Sequence, residues 1–308
     1  MGAIEDRRRA AAEATRDGGA LARSILTDEA VARVMGHPEF PGAALAAMAA
    51  WAPQPGEANA LAVKVRDLAQ WMCAVWALQL HASPEGLTHA SLTRWLAPLG
   101  VTTKTRAHRI LIYLRFTGLI RPADSADGRS KAYQPTAQLL DLFRSRYRRD
   151  LEICARVLPA AEAALARWDS PAVMEATVAA HGRIFGSALE ARTPGPSLDV
   201  ISDRNGGMTI LGQLMLQACA DGVFPPTGPL APNISEIARR AGVSRPQVHS
   251  VLRAGQKGGL FQPLEDGRLA FTPLLIEHLA GMLAAAFLGL AWASETACAA
   301  DETAQASG

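Results

Sequence analysis

The chain has 308 residues, of which 49% are hydrophobic and 6% aromatic. Its length predicts about two domains, and its abundance of alanine favours helices. The net charge of +2 excludes a uniformly basic protein, but residues 88–150 carry twelve Lys/Arg against four Asp/Glu, a charge pattern typical of nucleic-acid-binding surfaces. The four cysteines lie far apart, which excludes a disulfide framework and a CxxC metal site and predicts buried thiols.

Neither the N-terminus nor the most apolar stretch predicts membrane association. The sequence MGAIEDRRRAAAEATRDGG at the N-terminus lacks the apolar centre of a signal peptide. The apolar run from Leu279 to Ser294 has sixteen uncharged residues, fewer than the ~18–20 that cross a bilayer. We interpret this run as a buried packing helix and expect a cytoplasmic protein.

In chain order, residues 1–60 predict an N-terminal helical segment that ends in a proline-rich stretch. Leu61 to Leu80 is strongly apolar and predicts one continuous helix. Leu87 to Gly100 predicts the next helix, because its apolar residues recur at helical spacing.

The following stretch, Gly100 to Pro122, reads GVTTKTRAHRILIYLRFTGLIRP and predicts a capped helix followed by a hairpin. Thr103 is a favourable N-cap residue, and Gly118 supplies the left-handed conformation in which many helices end. An Asp-Gly-Arg sequence at 127–129 predicts the hairpin turn. The inward face of the helix is an apolar stripe at i, i+3, i+4 and i+7, formed by Ala107, Ile110, Leu111 and Leu114.

Beyond this hairpin, Thr136 to Trp168 predicts one long helix, which Pro159 is expected to kink. Its arginines are expected to face phosphate or solvent. A further helix is predicted from Pro171 to Ala191, a linker from Thr193 to Ser197, and a helix from Met208 to Ala220. The arginines of the long helix are Arg144, Arg146, Arg148 and Arg149.

The second half of the chain repeats the motif as AGVSRPQVHSVLRAGQKGGLFQP, from Ala241 to Pro263. At an offset of 141 residues the copies match at the N-cap, at a histidine and at the glycine that ends the helix. The return strand, Ala270 to Pro273, aligns with Ala132 to Pro135 at an offset of 138. A preceding helix (234–242) and a following apolar helix (274–298) complete the copy. Its inward stripe is formed by Val248, Val251, Leu252 and Gly255.

Each copy has the element order of a winged helix-turn-helix: helix, turn, capped helix, glycine stop and hairpin, or wing. We therefore predict a mainly α protein with small β-wings, in which tandem winged helix-turn-helix domains are joined by long helices. The predicted boundaries are 1–60 for the N-terminal helical segment, 61–170 for the first domain with its long helix, 171–205 for a connecting helix and linker, 206–300 for the second domain with its apolar helix, and 301–308 for a disordered tail.

In a winged helix the second helix of the motif enters the major groove, and its first two turns reach the base edges. Arginine and glutamine match guanine and adenine with paired hydrogen bonds, while helix N-termini and wing cations hold phosphates. Both matched histidines follow buried positions and are expected to face outward. The predicted DNA-binding residues are Thr103, Lys104, Thr105, Arg106, His108, Arg109, Arg129 and Lys131 in the first copy, and Ser244, Arg245, Gln247, His249, Ser250 and Arg268 in the second. No cofactor or metal is expected.

The stretch from Leu87 through the helix after Pro135 resembles the MarR-type winged-helix regulators, in the capped helix VTTKTRAHRIL, the strand start GLI and the wing DSADGRSKAY. The resemblance covers residues 65–170 well and 206–298 more loosely. Members of that family are usually homodimers whose terminal helices form the interface and whose subunits each read half of a palindrome. For a chain with two units, the resemblance implies a monomeric pseudo-dimer or a homodimer, with the apolar C-terminal helix packed on the long helix after the first wing. It also implies an asymmetric or pseudo-palindromic double-stranded DNA site and a small-molecule effector.

The favoured function is a nucleoid-associated transcriptional regulator, and specifically a repressor, because the sequence shows no activation surface or further domain. Two alternatives remain open. A tandem winged-helix replication initiator would bind iterated origin repeats, and a protein-interaction scaffold of a chromosome-organising complex would show no salt-dependent DNA affinity. An enzyme is not expected, since no paired-carboxylate, Ser/His/Asp, metal or phosphate-loop pattern is recognisable.

Overall fold

The computed structural model of the protein describes residues 19–51, 61–81, 85–97, 99, 102–123, 132–190 and 198–306. These residues are mainly helical and form two small antiparallel sheets, which confirms the predicted fold class at that level. The helices are α1 (Ala20–Ile25), α2 (Asp28–Met35), α3 (Phe40–Trp51), α4 (Leu61–Lys64), α5 (Leu68–His81), α6 (His89–Leu96), α7 (Lys104–Phe116), α8 (Ala137–Cys154), α9 (Ala160–Ala166), α10 (Pro171–Glu190), α11 (Asp199–Ser202), α12 (Gly207–Ala218), α13 (Ile234–Ala241), α14 (Arg245–Lys257) and α15 (Pro273–Ala306). The strands are β1 (Ile120–Pro122), β2 (Tyr133–Pro135), β3 (Phe261–Pro263) and β4 (Leu269–Phe271).

Two parts of the chain contain the same elements in the same order, and we call them the first unit (α4 to α8) and the second unit (α11 to α15). Each begins with a four-residue helix and a longer apolar helix. The chain then forms an isolated bridge to the hairpin, through Leu87 and Tyr133 in the first unit and through Leu230 and Leu269 in the second. Two helices, the hairpin and a long helix follow in both units, so the repeat extends beyond the motif recognised in the sequence.

The junction between hairpin and long helix shows how the two copies align. Gly118 and Gly259 end α7 and α14 with φ values of 74° and 72°. The hydroxyl of Thr136 donates to the Gly118 carbonyl at 2.7 Å, and that of Thr272 donates to the Gly259 carbonyl at 2.8 Å. Both threonines also cap the long helix that follows. Thr136 and Thr272 are therefore equivalent, at an offset of 136 residues.

The predicted alignment of the return strands at an offset of 138 is consequently wrong by two residues. Pro135 ends β2, whereas Pro273 is the first residue of α15, where the missing N–H is harmless. The stretches Ala132 to Pro135 and Ala270 to Pro273 thus have similar sequences but do not occupy equivalent positions in the two units. The real difference lies in the hairpin turns: ten residues separate Pro122 from Tyr133, and only five separate Pro263 from Leu269.

The core of each unit lies beneath its capped helix. Both predicted inward stripes are buried, which confirms the helical periodicity. At the fourth position of the second stripe a glycine is required, because a Cβ on Gly255 would lie 2.3 Å from Cδ2 of Phe261. The equivalent residue of the first unit is the buried Leu114, so the two cores are packed differently around the same backbone.

Two helices hold the units together, because each precedes one unit in the chain and packs against the other unit. Helix α3, which precedes the first unit, packs against α12 of the second, and α10, which precedes the second unit, packs against α5 of the first. Each contact includes a hydrogen bond to a helix carbonyl: Thr209 Oγ1 donates to Trp51 O at 3.3 Å, and Gln79 Nε2 donates to Ala179 O at 2.6 Å. Helices α8 and α15 pack in turn on α3 and α10. Helices α3 and α10 therefore each contact both units.

Two helices predicted as continuous are interrupted. The helix predicted from Leu61 to Leu80 breaks at residues 65–67, because the side chain of Asp67 accepts the Gln70 amide at 2.8 Å and starts α5 as an N-cap. The helix predicted from Thr136 to Trp168 ends at Cys154 and resumes at Ala160. The ring of Pro159 would clash with the carbonyl four residues earlier, which explains where α8 stops.

The C-terminal helix also differs from prediction. It continues to Ala306, so the disordered tail predicted from residue 301 is wrong for residues 301–306. The guanidinium of Arg167 pairs there with Glu302 at 2.6 Å and with Asp301 at 3.8 Å. The helix packs mainly along α10, and it also packs on α9 and α8, as predicted for the long helix from Thr136 to Trp168 of which both are parts.

Within the described residues, one helix segment, Pro273–Thr303 of α15, is long and apolar enough to cross a membrane. Half of its most apolar window is buried inside the protein. Its buried residues, including Leu279, Leu283 and Leu290, face the neighbouring helices. This packing is compatible with a soluble protein and with the predicted role of a core helix.

The contact between α11 and α12 gives a testable prediction. A Cβ on Gly207 would lie 1.9 Å from the Ile201 carbonyl oxygen, which is backbone and cannot move aside cheaply. We expect Gly207→Ala to lower the free energy of unfolding by about 3 kcal/mol, the upper end of typical overpacking costs. The matched control is Gly281→Ala in α15, where a Cβ meets nothing within 4 Å. Urea unfolding that showed equal stability for the two variants would contradict the close helix approach.

Candidate nucleic-acid interface

The capped helices α7 and α14 are the elements on which the predicted contact residues lie. The hydroxyl of Thr103 accepts the Arg106 amide at 3.2 Å, and that of Ser244 accepts the Gln247 amide at 3.3 Å. Both caps are confirmed as predicted. Each cap satisfies one amide of the first turn. Helix α7 then retains the amides of Lys104 and Thr105 for an anion, whereas α14 retains only that of Arg245, because Pro246 has no N–H.

Several outward side chains of α7 and α14 are exposed. Lys104, Thr105, His108 and Arg109 are exposed in the first unit. In the second unit Ser244, Arg245 and His249 are exposed. The prediction that both histidines face outward is confirmed. These side chains provide hydrogen-bond donors at the positions from which a helix in the major groove reaches bases.

One stripe of each helix, at i, i+4, i+8 and i+12, distinguishes the two units. In the second unit it is entirely basic or imidazole: Arg245, His249, Arg253 and Lys257 are all exposed. The prediction missed Arg253 and Lys257, because it considered only the first two turns; the four-residue periodicity could have found them. The equivalent residues of the first unit are Lys104, His108, Ile112 and Phe116, of which Ile112 is 55% and Phe116 is 88% exposed.

A second pair of equivalent positions, Arg106 and Gln247, makes contacts within the protein. The guanidinium of Arg106 lies 3.2 Å from the carboxylate of Asp67, and its side chain is 41% exposed. The amide of Gln247 donates to the Asn205 carbonyl at 3.0 Å. In both units, therefore, the first turn of the capped helix is bonded to the segment that precedes the unit's longer apolar helix, α5 or α12.

A further hydrogen bond connects α14 of the second unit to Arg204. The Ser250 hydroxyl lies 3.1 Å from Nη1 of Arg204, which donates to it. Arg204 also donates from Nε to the Val200 carbonyl at 2.9 Å, so the arginine bridges α11 and α14. Ser250, which the sequence placed among the base-reading residues, is engaged in this bridge and is only partly exposed.

The hairpin of the second unit places one cation at its tip. Gly267 has a φ of 81°, as the tight turn requires. Beside it, the Arg268 amide and guanidinium both donate to the Asp266 carboxylate, and these hydrogen bonds hold the pKa of Asp266 below its ordinary value. Arg268 itself is exposed. Arg129 and Lys131, the predicted wing residues of the first unit, lie outside the described residues.

The arginines of α8 do not form a free cationic strip. Arg144 pairs with Asp141 at 3.4 Å, Arg148 with Asp169 at 2.6 Å, and Arg146 with Asp150 at 2.7 Å. Arg146 points inward: its side chain is 15% exposed and its guanidinium lies over the Trp71 ring. The prediction that these residues all face phosphate or solvent is therefore wrong for Arg146.

Arg146 lines a cavity of about 430 Å³ that lies between the two units. Its walls are mostly apolar and come from α3, α5, α8, α10, α12 and α15, together with the segments 65–68 and 198–202. His181 also lines it, with Nδ1 2.8 Å from the Tyr147 hydroxyl. Burial raises the pKa of Tyr147 far above its ordinary value, while burial and the nearby Arg146 charge lower the pKa of His181 to about 4. Both side chains are therefore uncharged near neutral pH, and one hydrogen bond joins them.

His181 gives a pH-dependence that can be checked. Its pKa is about 4 in the folded protein and ~6.5 in an unfolded chain, so the unfolded chain binds the proton first as the pH falls. The free energy of unfolding is therefore independent of His181 protonation above about pH 6.5. It falls by about 3 kcal/mol as the pH is lowered towards 4, because His181 is protonated first in the unfolded chain. Burial raises the pKa of Asp150, so the folded protein binds this proton before the unfolded chain does. Protonation of Asp150 therefore raises the free energy of unfolding as the pH falls, opposite to the effect of His181.

The His181 contribution is isolated by comparing urea unfolding of the wild type and of His181→Gln between pH 4.5 and 7.5. We expect the stability of the wild type to fall more steeply below pH 6.5 than that of the variant. Parallel profiles would show that His181 is not buried as a neutral group.

Comparison of the chain with known protein families, with curated proteins and with solved structures found no match.

Proposed function

We propose that the protein is a sequence-specific, double-stranded DNA-binding transcriptional regulator with two winged helix-turn-helix units in one chain. The observation that carries this proposal is the repeated geometry of α7 and α14. Each is an N-capped helix whose outward face combines a cation with a histidine, at Lys104 and His108 or at Arg245 and His249. Each is followed by a glycine stop and a two-stranded hairpin.

The chemistry of these faces suits DNA. An arginine or lysine in the major groove pairs with guanine O6 and N7, and cations further along the helix reach phosphates. Arg109 in the first unit and Arg245 in the second carry the proposed base contacts, because both are exposed. Arg253, Lys257 and Arg268 carry proposed phosphate contacts.

The packing of α3 and α10 between the two units supports the proposal that one chain binds the whole DNA site. Because α3 and α10 each pack across to the opposite unit, the two capped helices are fixed relative to one another. Their outward residues differ at most positions, so the expected site has two unequal halves. A regulator of this kind acts by occupying its site at a promoter.

The experiment is a pull-down of genomic DNA fragments by the purified protein, compared with Lys104→Glu/Arg109→Glu. The matched control, Arg33→Glu/Arg156→Glu, reverses the same number of exposed charges elsewhere. Discrete promoter fragments that are lost only in the Lys104/Arg109 variant are the expected result. Enrichment of iterated origin repeats would favour a replication initiator, and no enrichment by any variant would favour the protein-interaction scaffold.

A further inference from the structure

Two large hydrophobic side chains lie next to each other on the exposed face of α7. Ile112 is 55% exposed and Phe116 is 88% exposed, and they share one face of the helix because they are four residues apart. The other exposed large hydrophobics of the described residues, Val200 and Val223, lie outside both capped helices. A contiguous apolar surface that folding leaves in water is typical of an interaction site.

The fold does not require apolar residues at these two positions. The equivalent positions of α14, at the offset of 141 residues, are Arg253 and Lys257, and both are exposed. Both helices begin the same stripe with a cation followed by a histidine. The apolar pair is therefore a property of the first unit alone, and the two stripes present different chemistry to whatever the two helices bind.

The charges around the apolar pair favour an anionic partner. None of the thirteen residues of α7 is acidic, and four are basic. Three of the four, Lys104, Arg109 and Arg115, are exposed. A partner that complements this face is anionic at its edges and apolar between them. The major groove of DNA has that composition, because phosphates border it and the 5-methyl group of thymine projects into it.

We propose that Ile112 packs against the 5-methyl group of a thymine in the half-site under α7, and that Phe116 extends this apolar contact by one helical turn. The thymine contact rests on the proposed DNA-binding function and adds the base feature that the first unit recognises. Only thymine carries a methyl group at this position, so the contact discriminates it from cytosine. Double-stranded RNA offers no equivalent, since side chains do not read its deep, narrow major groove and uracil lacks the methyl group.

The same positions of the second unit serve the DNA backbone. Arg253 and Lys257 carry charges in place of apolar surface, and cations at this distance along the helix reach phosphates. The two half-sites therefore depend on different interactions. Binding to the first half-site depends on thymine methyl groups, whereas binding to the second depends more on charge and responds more strongly to salt.

The test replaces thymine by uracil, which removes the methyl group and keeps the Watson–Crick edge. A DNA fragment enriched by the purified full-length protein is synthesised with each thymine changed in turn, and its affinity is measured by fluorescence anisotropy. In the half-site whose binding depends on Lys104 and Arg109, we expect one or two substitutions to weaken binding about three- to fivefold each, as one buried methyl group allows. Substitutions in the other half-site should leave the affinity unchanged.

Three variants assign the methyl contact to Ile112. Ile112→Ala should bind the thymine duplex about three- to fivefold more weakly and should no longer distinguish thymine from uracil. Ile112→Arg introduces the residue found at the equivalent position of α14. It should also lose the distinction, and the slope of its log affinity against log salt should steepen by about 1. Val223→Ala is the matched control, because Val223 is an exposed aliphatic residue outside both capped helices, and it should behave as the wild type does.

Two outcomes would overturn the thymine contact and leave the proposed function intact. One is equal affinity of the wild type for the thymine and uracil duplexes, and the other is an Ile112→Ala variant that still distinguishes them. If the protein enriched no DNA at all, the proposed function and the thymine contact would be refuted together.

Discussion

Lys104→Glu/Arg109→Glu is expected to lower the affinity of the protein for its DNA site about 100-fold or more at physiological salt. Each base contact is worth ~1–3 kcal/mol, and the reversed charges also repel the phosphates. The slope of log affinity against log salt should fall by about 2 if both side chains neutralise phosphates. Fluorescence anisotropy with a labelled promoter fragment, from 50 to 300 mM NaCl, measures both quantities.

The corresponding change in the second unit, Arg245→Glu/Arg253→Glu, should have a comparable effect, because these residues occupy the same exposed stripe of α14. The Arg33→Glu/Arg156→Glu control should change the affinity less than threefold. If all three variants bound with equal affinity, the attraction would come from net charge, and the assignment of the capped helices as the reading elements would be wrong.

Trp168→Ala is expected to lower the free energy of unfolding by about 3–5 kcal/mol. Trp168 is completely buried, its ring stacks on Tyr147 with centroids 6.2 Å apart, and its Nε1–H donates to the Arg144 carbonyl at 2.9 Å. The substitution leaves a large cavity and removes the hydrogen bond to the Arg144 carbonyl. Urea unfolding followed by circular dichroism provides the measurement.

Trp292→Ala on α15 is the control for Trp168→Ala, because Trp292 is only half-buried, and its substitution should cost less. Since the helices α3 and α10 join the two units, we expect one cooperative transition in every variant. A loss below about 1 kcal/mol in Trp168→Ala, or separate transitions for the two units, would contradict the packing described above.

The sequence predicted well what local chemistry determines. The caps at Thr103 and Ser244, the glycine stops at Gly118 and Gly259 and the buried stripes depend on residues within one or two turns of each other, so their spacing is visible in the chain. The hairpins were predicted for the same reason.

Contacts between distant residues were not predictable in this way. Asp67 carries an ordinary N-cap signal before α5, but nothing local shows that its carboxylate pairs with Arg106. The contacts of α3 with α12 and of α10 with α5 join segments at least 90 residues apart. The misaligned return strand arose because Pro135 and Pro273 close similar strings, although one ends a strand and the other begins a helix.

The most direct test of the account is hydroxyl-radical footprinting of an enriched promoter fragment, with the number of bound chains determined by native mass spectrometry. We predict one chain per fragment and two protected half-sites, of which Arg245→Glu/Arg253→Glu loses one and Lys104→Glu/Arg109→Glu loses the other. Two chains on each fragment, or a single protected segment that is unaffected by changes in the second unit, would contradict the claim that one chain reads DNA with two units.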